Sequence, residues 1–135
     1  MPWQNRATSS MPSLELGRLV LSDLFGPRQD FTRYEWAPFR PGVEISRIYG
    51  GGAGDPEGGP AAALLRYAPG AHVPGHDHTG FEHIIVLQGS QQDERGTYAA
   101  GSCMIHARGT GHNVASEEGC VVLALWYSPV AFREP

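Results

Sequence analysis

Short apolar runs separated by glycine and proline are the feature of this sequence that most constrains its fold. The chain has 18 glycines and 11 prolines, and they fall in small clusters between the apolar runs. Such clusters form turns, and runs of about five to eight residues between turns have the length of strands rather than of helices. No stretch keeps the apolar spacing of an amphipathic helix for long. The pattern therefore predicts an all-β domain of sandwich, jelly-roll or barrel type.

The same punctuation predicts where individual strands lie. The predicted strands are Val43–Tyr49, Ala61–Tyr67 and residues 83–88, 102–106 and 120–127. We expect Gly89 and Ser90 to form a tight connection, and we interpret residues 14–25 as a strand although Gly17 leaves that segment ambiguous. Residues 120–127 are apolar on both faces, which predicts a strand between two layers. One layer would be the barrel interior, and the other the N-terminal region or a second subunit.

Length and charge limit the organisation and the partners of the chain. At 135 residues the chain suits one domain, which we place at residues 14–135 after a flexible arm at residues 1–13. Residues 50–59 are too rich in glycine for a strand and are expected to form a loop. A formal net charge of -4 and the lack of a basic stripe argue against a nucleic-acid partner. With neither a leader pattern nor a membrane-length apolar run, we expect a cytoplasmic protein that does not contact a membrane.

The two cysteines, Cys103 and Cys120, are too few for a disulfide scaffold. They could pair in principle, but buried thiols are the more common case. We therefore expect both to be packing residues.

The stretch GAHVPGHDHTGFEHIIVLQG carries the chemistry of the sequence. Residues two apart on a strand point to the same face about 7 Å apart, so His76 and His78 can aim their imidazoles at one point. A turn at residues 79–81 would bring Glu82 beside them at the start of the next strand. Alternation along the strand places Glu82 on a face that is otherwise apolar. A carboxylate buried there needs a partner, and a cation can supply one. A fourth ligand must come from elsewhere, and His112 follows a glycine-rich turn.

Two spaced motifs in this region resemble those of the cupin superfamily. The first motif, G-x5-H-x-H-x3-E-x6-G, is matched at every fixed position, by Gly70, His76, His78, Glu82 and Gly89. The second motif, G-x5-P-x-G-x2-H-x3-N, is matched by Gly101, Gly109 and His112, while Ala107 and Ser116 replace its proline and asparagine. The resemblance implies a cupin (RmlC-like) double-stranded β-helix, which is a jelly-roll barrel. It also implies a metal site on His76, His78, Glu82 and His112.

Residues 36–132 further resemble the cupin domain of ChrR-type anti-sigma factors, notably in DERGTYAAG and GCVVLALW. Proteins of that type carry an additional N-terminal helical zinc domain that binds the sigma factor. We expect that domain to be missing here, because no cysteine precedes Cys103, and sigma-factor binding is therefore not carried over. A homodimer is expected instead, since a small barrel has little mass with which to cover a second apolar face.

Three further histidines lie near the motif. His106 and His72 are candidates for orienting a ligand by a hydrogen bond from outside the site, although an exposed loop position is the alternative for His72. His83 should point away from Glu82 on strand alternation. The acidic pair Asp93-Glu94 is expected to lie in a solvated turn.

The predicted ligand set favours a metal-dependent small-molecule enzyme, with a binding module as the alternative. Three imidazoles and one carboxylate suit one divalent ion, which could be Fe, Mn, Ni, Cu or Zn. If the ion is six-coordinate, two positions remain for a small-molecule ligand or substrate, as in a metal-dependent enzyme of dioxygenase-like type. The alternative is a non-catalytic, ChrR-like sensory or regulatory cupin that binds metal or a small ligand. In a third interpretation the metal serves stability only. The sequence identifies no catalytic residue.

Overall fold

The computed structural model describes residues 17–50 and 59–132. These residues form ten strands and no helix, which confirms the all-β prediction. The strands are β1 Ala37–Arg40, β2 Val43–Tyr49, β3 Ala61–Tyr67, β4 Ala71–His78, β5 Glu82–Asp93, β6 Gly96–Ala99, β7 Cys103–His106, β8 Gly111–Ser116, β9 Cys120–Trp126 and β10 Val130–Phe132. The predicted arm at residues 1–13 and most of the predicted loop at residues 50–59 lie outside the described residues, so the proposed domain bounds stay a prediction. No helix in the described ranges could span a membrane.

The strands form one curled antiparallel sheet with the order β1-β2-β3-β9-β5-β8-β4-β10, and β6 and β7 pair with β5. Its inner face carries an apolar core to which β2, β3, β5 and β9 contribute. A second cluster on the outer face joins Leu64, Leu87 and Val121 to Phe31 and Tyr34. β9 is thus buried on both sides, as predicted, and residues between 17 and 36 provide the outer cover.

The segment before the barrel corrects one strand prediction. The described part of residues 14–25, from Gly17 onward, is not a strand. Its leucines, Leu19, Leu21 and Leu24, pack instead against the outer cluster. The apolar residues of this segment therefore cover the outer face of the sheet and do not form a paired strand.

The predicted tight connection at Gly89 and Ser90 is also wrong, because β5 runs through both residues. Gly89 has a φ of +73°, and a Cβ there would collide with the backbone of Gly119. On β9, Val122 and Val121 are consecutive, but their partners on β5 are Val86 and Gln88, so β5 holds one extra residue. This bulge bends β5 and reverses the faces to which its later residues point.

The cysteine prediction is confirmed for Cys120 and wrong for Cys103. Both are free thiols, but Cys120 is buried and Cys103 is exposed. Cys103 opens β7, whose alternate residues Cys103 and Ile105 face outward. Burial raises the pKa of Cys120 to about 11, so this thiol stays protonated at neutral pH.

Candidate metal centre

The four predicted ligands lie together inside the barrel. His76 and His78 come from β4, Glu82 opens β5 and His112 is the second residue of β8. All four are buried, with exposed fractions of 5% or less. One ligand atom from each lies within 4.8 Å of the corresponding atoms of the other three. This is the spacing that a single metal ion requires of its ligands.

Strand pairing explains why residues so far apart in sequence meet. His76 on β4 is directly opposite His112 on β8. Glu82 on β5 has two direct neighbours, His106 on β7 and Trp126 on β9. Between the two histidines of β4, Asp77 is exposed, as strand alternation predicts.

Hydrogen bonds orient the two imidazoles of β4. Nδ1 of His76 lies 3.0 Å from the carbonyl oxygen of Pro74, which can only accept. Nδ1 of His78 lies 3.0 Å from Oγ1 of Thr110, and that hydroxyl donates its own proton to the carbonyl oxygen of Ala107 at 2.6 Å. Both Nδ1 atoms therefore donate. In a neutral imidazole this leaves Nε2 with a lone pair, and both Nε2 atoms face the centre of the cluster.

His112 completes the imidazole set. Its Nε2 lies 2.9 Å from Nε2 of His76 and 3.6 Å from Oε1 of Glu82. Its Nδ1 is buried without a hydrogen-bond partner and lies 3.7 Å from Oδ2 of Asp93. Burial lowers the pKa of His112 to about 4, so the ring is neutral at pH 7.

Glu82 presents one carboxylate oxygen to the cluster. Its Oε2 accepts a hydrogen bond from Nε1 of Trp126 at 2.7 Å. Its Oε1 lies 2.9 Å from Nε2 of His78, and neither atom has a partner with hydrogen-bond geometry. Burial by itself would raise the pKa of Glu82, but the carboxylate is favoured whenever His78 or another nearby imidazole is protonated, and this outweighs burial, so the pKa lies below its usual value.

These residues fit a divalent metal ion. Two buried polar atoms, Nε2 of His78 and Oε1 of Glu82, lack hydrogen-bond partners and face the same point. Such atoms are costly to bury unless something satisfies them, and a cation satisfies both. Three imidazole nitrogens and one carboxylate oxygen form a borderline donor set for first-row transition ions. The cluster can therefore hold a metal, while occupancy and the identity of the ion stay predictions.

The remaining histidines take different positions. His106 faces the cluster: its ring stacks on His78 at 4.9 Å and lies 4.3 Å from His112, and its Nε2 is buried without a hydrogen-bond partner. Burial lowers the pKa of His106. His72 is exposed. Between Val73 and His76, β4 holds one residue more than the paired segment of β8, and this bulge puts His72 and His76 on opposite faces of the sheet. His83 stacks on Tyr127, away from Glu82, as predicted.

Sequence reasoning missed two residues beside the site. Asp93 was expected in a solvated turn, but its side chain is only 9% exposed and turns toward His112. Without the bulge in β5, strand alternation would place Glu82 and Asp93 on opposite faces, and the bulge brings them to the same face. No local sequence pattern shows this change. The second is Trp126, which lies in the predicted strand at residues 120–127 and whose indole donates a hydrogen bond to Glu82. A buried tryptophan needs an acceptor, which was the one available signal.

A small apolar cavity adjoins the cluster inside the barrel. Its volume is about 30 Å³, and it is bounded by His76, Glu82 and His112 on one side and by Phe39 and Phe132 on the other. A space of this size holds a water or a diatomic molecule. An organic ligand would require movement of the surrounding side chains.

The fold and the site together define the class of protein. A curled antiparallel sheet with a His-x-His pair on one strand, a glutamate opening the next and a third histidine directly opposite the first is the arrangement of a cupin. The family model of the ChrR Cupin-like domain matches residues 28–128, and the chain belongs to this family.

Three known proteins show how far the similarity extends. The chain is 38% identical over 116 residues to the anti-sigma-E factor ChrR of Cereibacter sphaeroides, covering 84% of this chain and 50% of that protein. The crystal structure of Rhodobacter sphaeroides SigE in complex with the anti-sigma ChrR matches with a TM-score of 0.62 and 29% identity, over 73% of this chain and 52% of that chain. The chain thus spans about half the length of the ChrR proteins that it matches.

The third is an acetylacetone dioxygenase from Acinetobacter johnsonii, with a TM-score of 0.65 and 17% identity over 73% of this chain and 72% of that chain. At that identity the likeness shows the fold alone.

Proposed function

We propose that this chain is a metal-binding regulatory cupin domain of the ChrR type, with one divalent ion on His76, His78, Glu82 and His112. The observation that carries the proposal is the convergence of these four buried ligand atoms within 4.8 Å of one another. Regulation here means that occupancy of the centre biases the contacts of the domain with a partner. The bound ion would supply a Lewis acid at the heart of the barrel.

The chain's own residues prepare the centre for an ion. Pro74 and Thr110 hold the rings of His76 and His78 so that Nε2 faces inward. Trp126 fixes the carboxylate of Glu82 by occupying its outer oxygen. Partners of this kind orient metal ligands and commonly change metal affinity by about 10- to 100-fold when they are removed.

Two observations favour a regulatory role over a catalytic one. The 38% identity to an anti-sigma factor covers 84% of the chain. In addition, the cavity of about 30 Å³ beside the cluster is too small for a diketone or a catechol-like acid. The first test is elemental analysis of protein purified without added metal, combined with a comparison of copurifying partners for the wild type and Glu82→Gln. Absence of stoichiometric metal from the wild type, even after reconstitution, would contradict the proposal.

A dioxygenase-like enzyme is the second candidate, and the same cavity is the observation that favours it. The cavity is apolar, adjoins three of the four proposed ligands and has room for a diatomic molecule. Ferrous-loaded protein would then consume oxygen in the presence of acetylacetone, a diketone that can enter only when the side chains around the cavity move. The uptake should disappear in both His76→Ala and Glu82→Gln, and uptake that survives in both variants excludes this candidate.

The proposal includes a homodimer, formed through the outer face of the sheet near the centre. Phe81, Ile105 and Tyr127 are 47%, 61% and 62% exposed. The rings of Phe81 and Tyr127 lie 5.9 Å apart, and Ile105 pairs with His83, which stacks on Tyr127. An exposed patch of neighbouring large apolar residues is typical of an interface. Light scattering should report a dimer for the wild type and a monomer for Ile105→Glu, and a monomeric wild type would contradict this part of the proposal.

A further inference from the structure

A groove with a volume of about 1050 Å³ lies against the wall of the barrel. Phe39 and Tyr67 line both this groove and the small cavity beside the metal ligands. The side chains of Phe39 and Tyr67 therefore lie between the groove and the small cavity that adjoins the proposed metal centre. Pockets of a few hundred to about 1,000 Å³ are typical of small-molecule sites.

The charged residues of the groove differ in their ion-pair and hydrogen-bond partners. Arg66 pairs with Glu44, with a distance of 2.7 Å between Nη2 and Oε1. Glu118 accepts a hydrogen bond from Ser90 at 2.5 Å. Arg40 forms no ion pair with any carboxylate of the described residues, and its Nε is buried without a hydrogen-bond partner. Arg40 is thus a cation in the groove with no carboxylate partner among the described residues and with an unsatisfied Nε.

Aromatic contacts connect Arg40 to the centre. The guanidinium carbon of Arg40 lies 3.9 Å from the centre of the Phe132 ring, and that ring lies 5.5 Å from the ring of His76. A guanidinium held against an aromatic face is partly desolvated, which strengthens its interaction with an anion. Pro38 and Pro41, both exposed, add apolar surface to the groove.

We propose that this groove is a binding site for a small aromatic carboxylic acid, with the carboxylate on Arg40 and the ring against the prolines. A guanidinium presents parallel N–H donors that match the two oxygens of a carboxylate. A flat apolar ring suits the proline surface of the groove. Because Phe132 contacts both Arg40 and His76, an acid in this site would lie next to the proposed metal centre without contacting its ligands.

Benzoate and benzamide test this proposal, because the two probes have nearly the same shape and differ in charge. Binding to ¹⁵N-labelled protein is followed by NMR titration, with the Arg40 side chain as a reporter. Wild-type protein should bind benzoate at least about tenfold more tightly than benzamide, as charge-assisted hydrogen bonds predict. Arg40→Gln should lose that preference, and Arg40→Lys should keep part of it.

Arg28→Gln is the control for net charge, because Arg28 is 84% exposed at its side chain and lies outside the groove. It should bind benzoate like the wild type. Equal affinity of the wild type for the two probes, or unchanged benzoate binding in Arg40→Gln, would overturn the proposal. The titrations are run with and without added metal. Since Arg40 is not among the proposed metal ligands, the preference for benzoate should persist even if no metal binds, which separates this proposal from the proposed function.

Discussion

Nε2 of His76 and Nε2 of His112 lie 2.9 Å apart, at the point where β4 and β8 pair these two residues directly. Because Nδ1 of His76 donates to Pro74, its Nε2 carries a lone pair in the neutral ring. Two facing lone pairs would repel, so either His112 places a proton between them or a cation binds both nitrogens. The first arrangement would turn an unprotonated Nδ1 of His112 toward the carboxylate of Asp93. A metal ion removes both conflicts.

Removal of the carboxylate from the centre should abolish tight metal binding. We expect the wild type to bind one equivalent of Zn²⁺ or Fe²⁺, and Glu82→Gln to bind at least about 100-fold more weakly, because an anionic ligand is replaced by a neutral one. Isothermal titration calorimetry measures both affinities. His83→Gln is the matched control, because His83 is the next residue on β5 and stacks on Tyr127 on the other face. If both variants bind like the wild type, the ligand assignment is wrong.

Chelation of the metal should lower the thermal stability of the wild type. A ligand present at 100 times its dissociation constant stabilises the folded state by about 2.7 kcal/mol. For a domain of this size that corresponds to a fall in melting temperature of roughly 10 °C on chelation. Differential scanning calorimetry with and without a chelator measures the shift. Glu82→Gln should show almost no shift, and an equal shift in the variant would point to metal bound elsewhere.

The protein without metal should lose stability as the pH falls from about 6.5 to about 4. The pKa of His112 is lowered from 6.5 to about 4, chiefly by burial, and the pKa of His106 is also lowered. In this window the unfolded chain binds protons that the folded chain does not, so acid favours unfolding. The lowered pKa of Glu82 adds stability that is lost only at still lower pH. Urea denaturation of chelated protein at pH 7 and pH 5 measures the loss, which should be smaller in His112→Asn. Equal stability at the two pH values would contradict the burial of a neutral His112.

Asp93 should support metal binding without touching the ion. Its Oδ2 faces Nδ1 of His112, and a carboxylate there holds the proton on Nδ1 and leaves Nε2 free for the metal. Asp93→Asn should therefore weaken metal binding by about tenfold, measured by competition with a chelating dye. Glu94→Gln is the control, since Glu94 is exposed and bonds to Asn113. Equal affinities in the two variants would remove the role assigned to Asp93.

Much of the fold could be predicted because its information is local. Glycine and proline interrupted the apolar runs at the ends of real strands, and β2 and β3 have the predicted bounds. One error occurred where a glycine served a different purpose. Gly89 permits a bulge within β5, and a bulge and a turn require the same backbone freedom at one residue.

The sequence by itself determined the spacing that sets His76 and His78 on one face of a strand and places Glu82 at the start of the next. Only the tertiary structure decided the surroundings of that cluster. Bulges in β4 and β5 turned His72 outward and Asp93 inward, and strand pairing placed His106 and Trp126 on either side of Glu82. The physical reason is that alternation along a strand is a local property. A bulge, in contrast, is set by pairing with a distant strand, and one extra residue reverses every face that follows it.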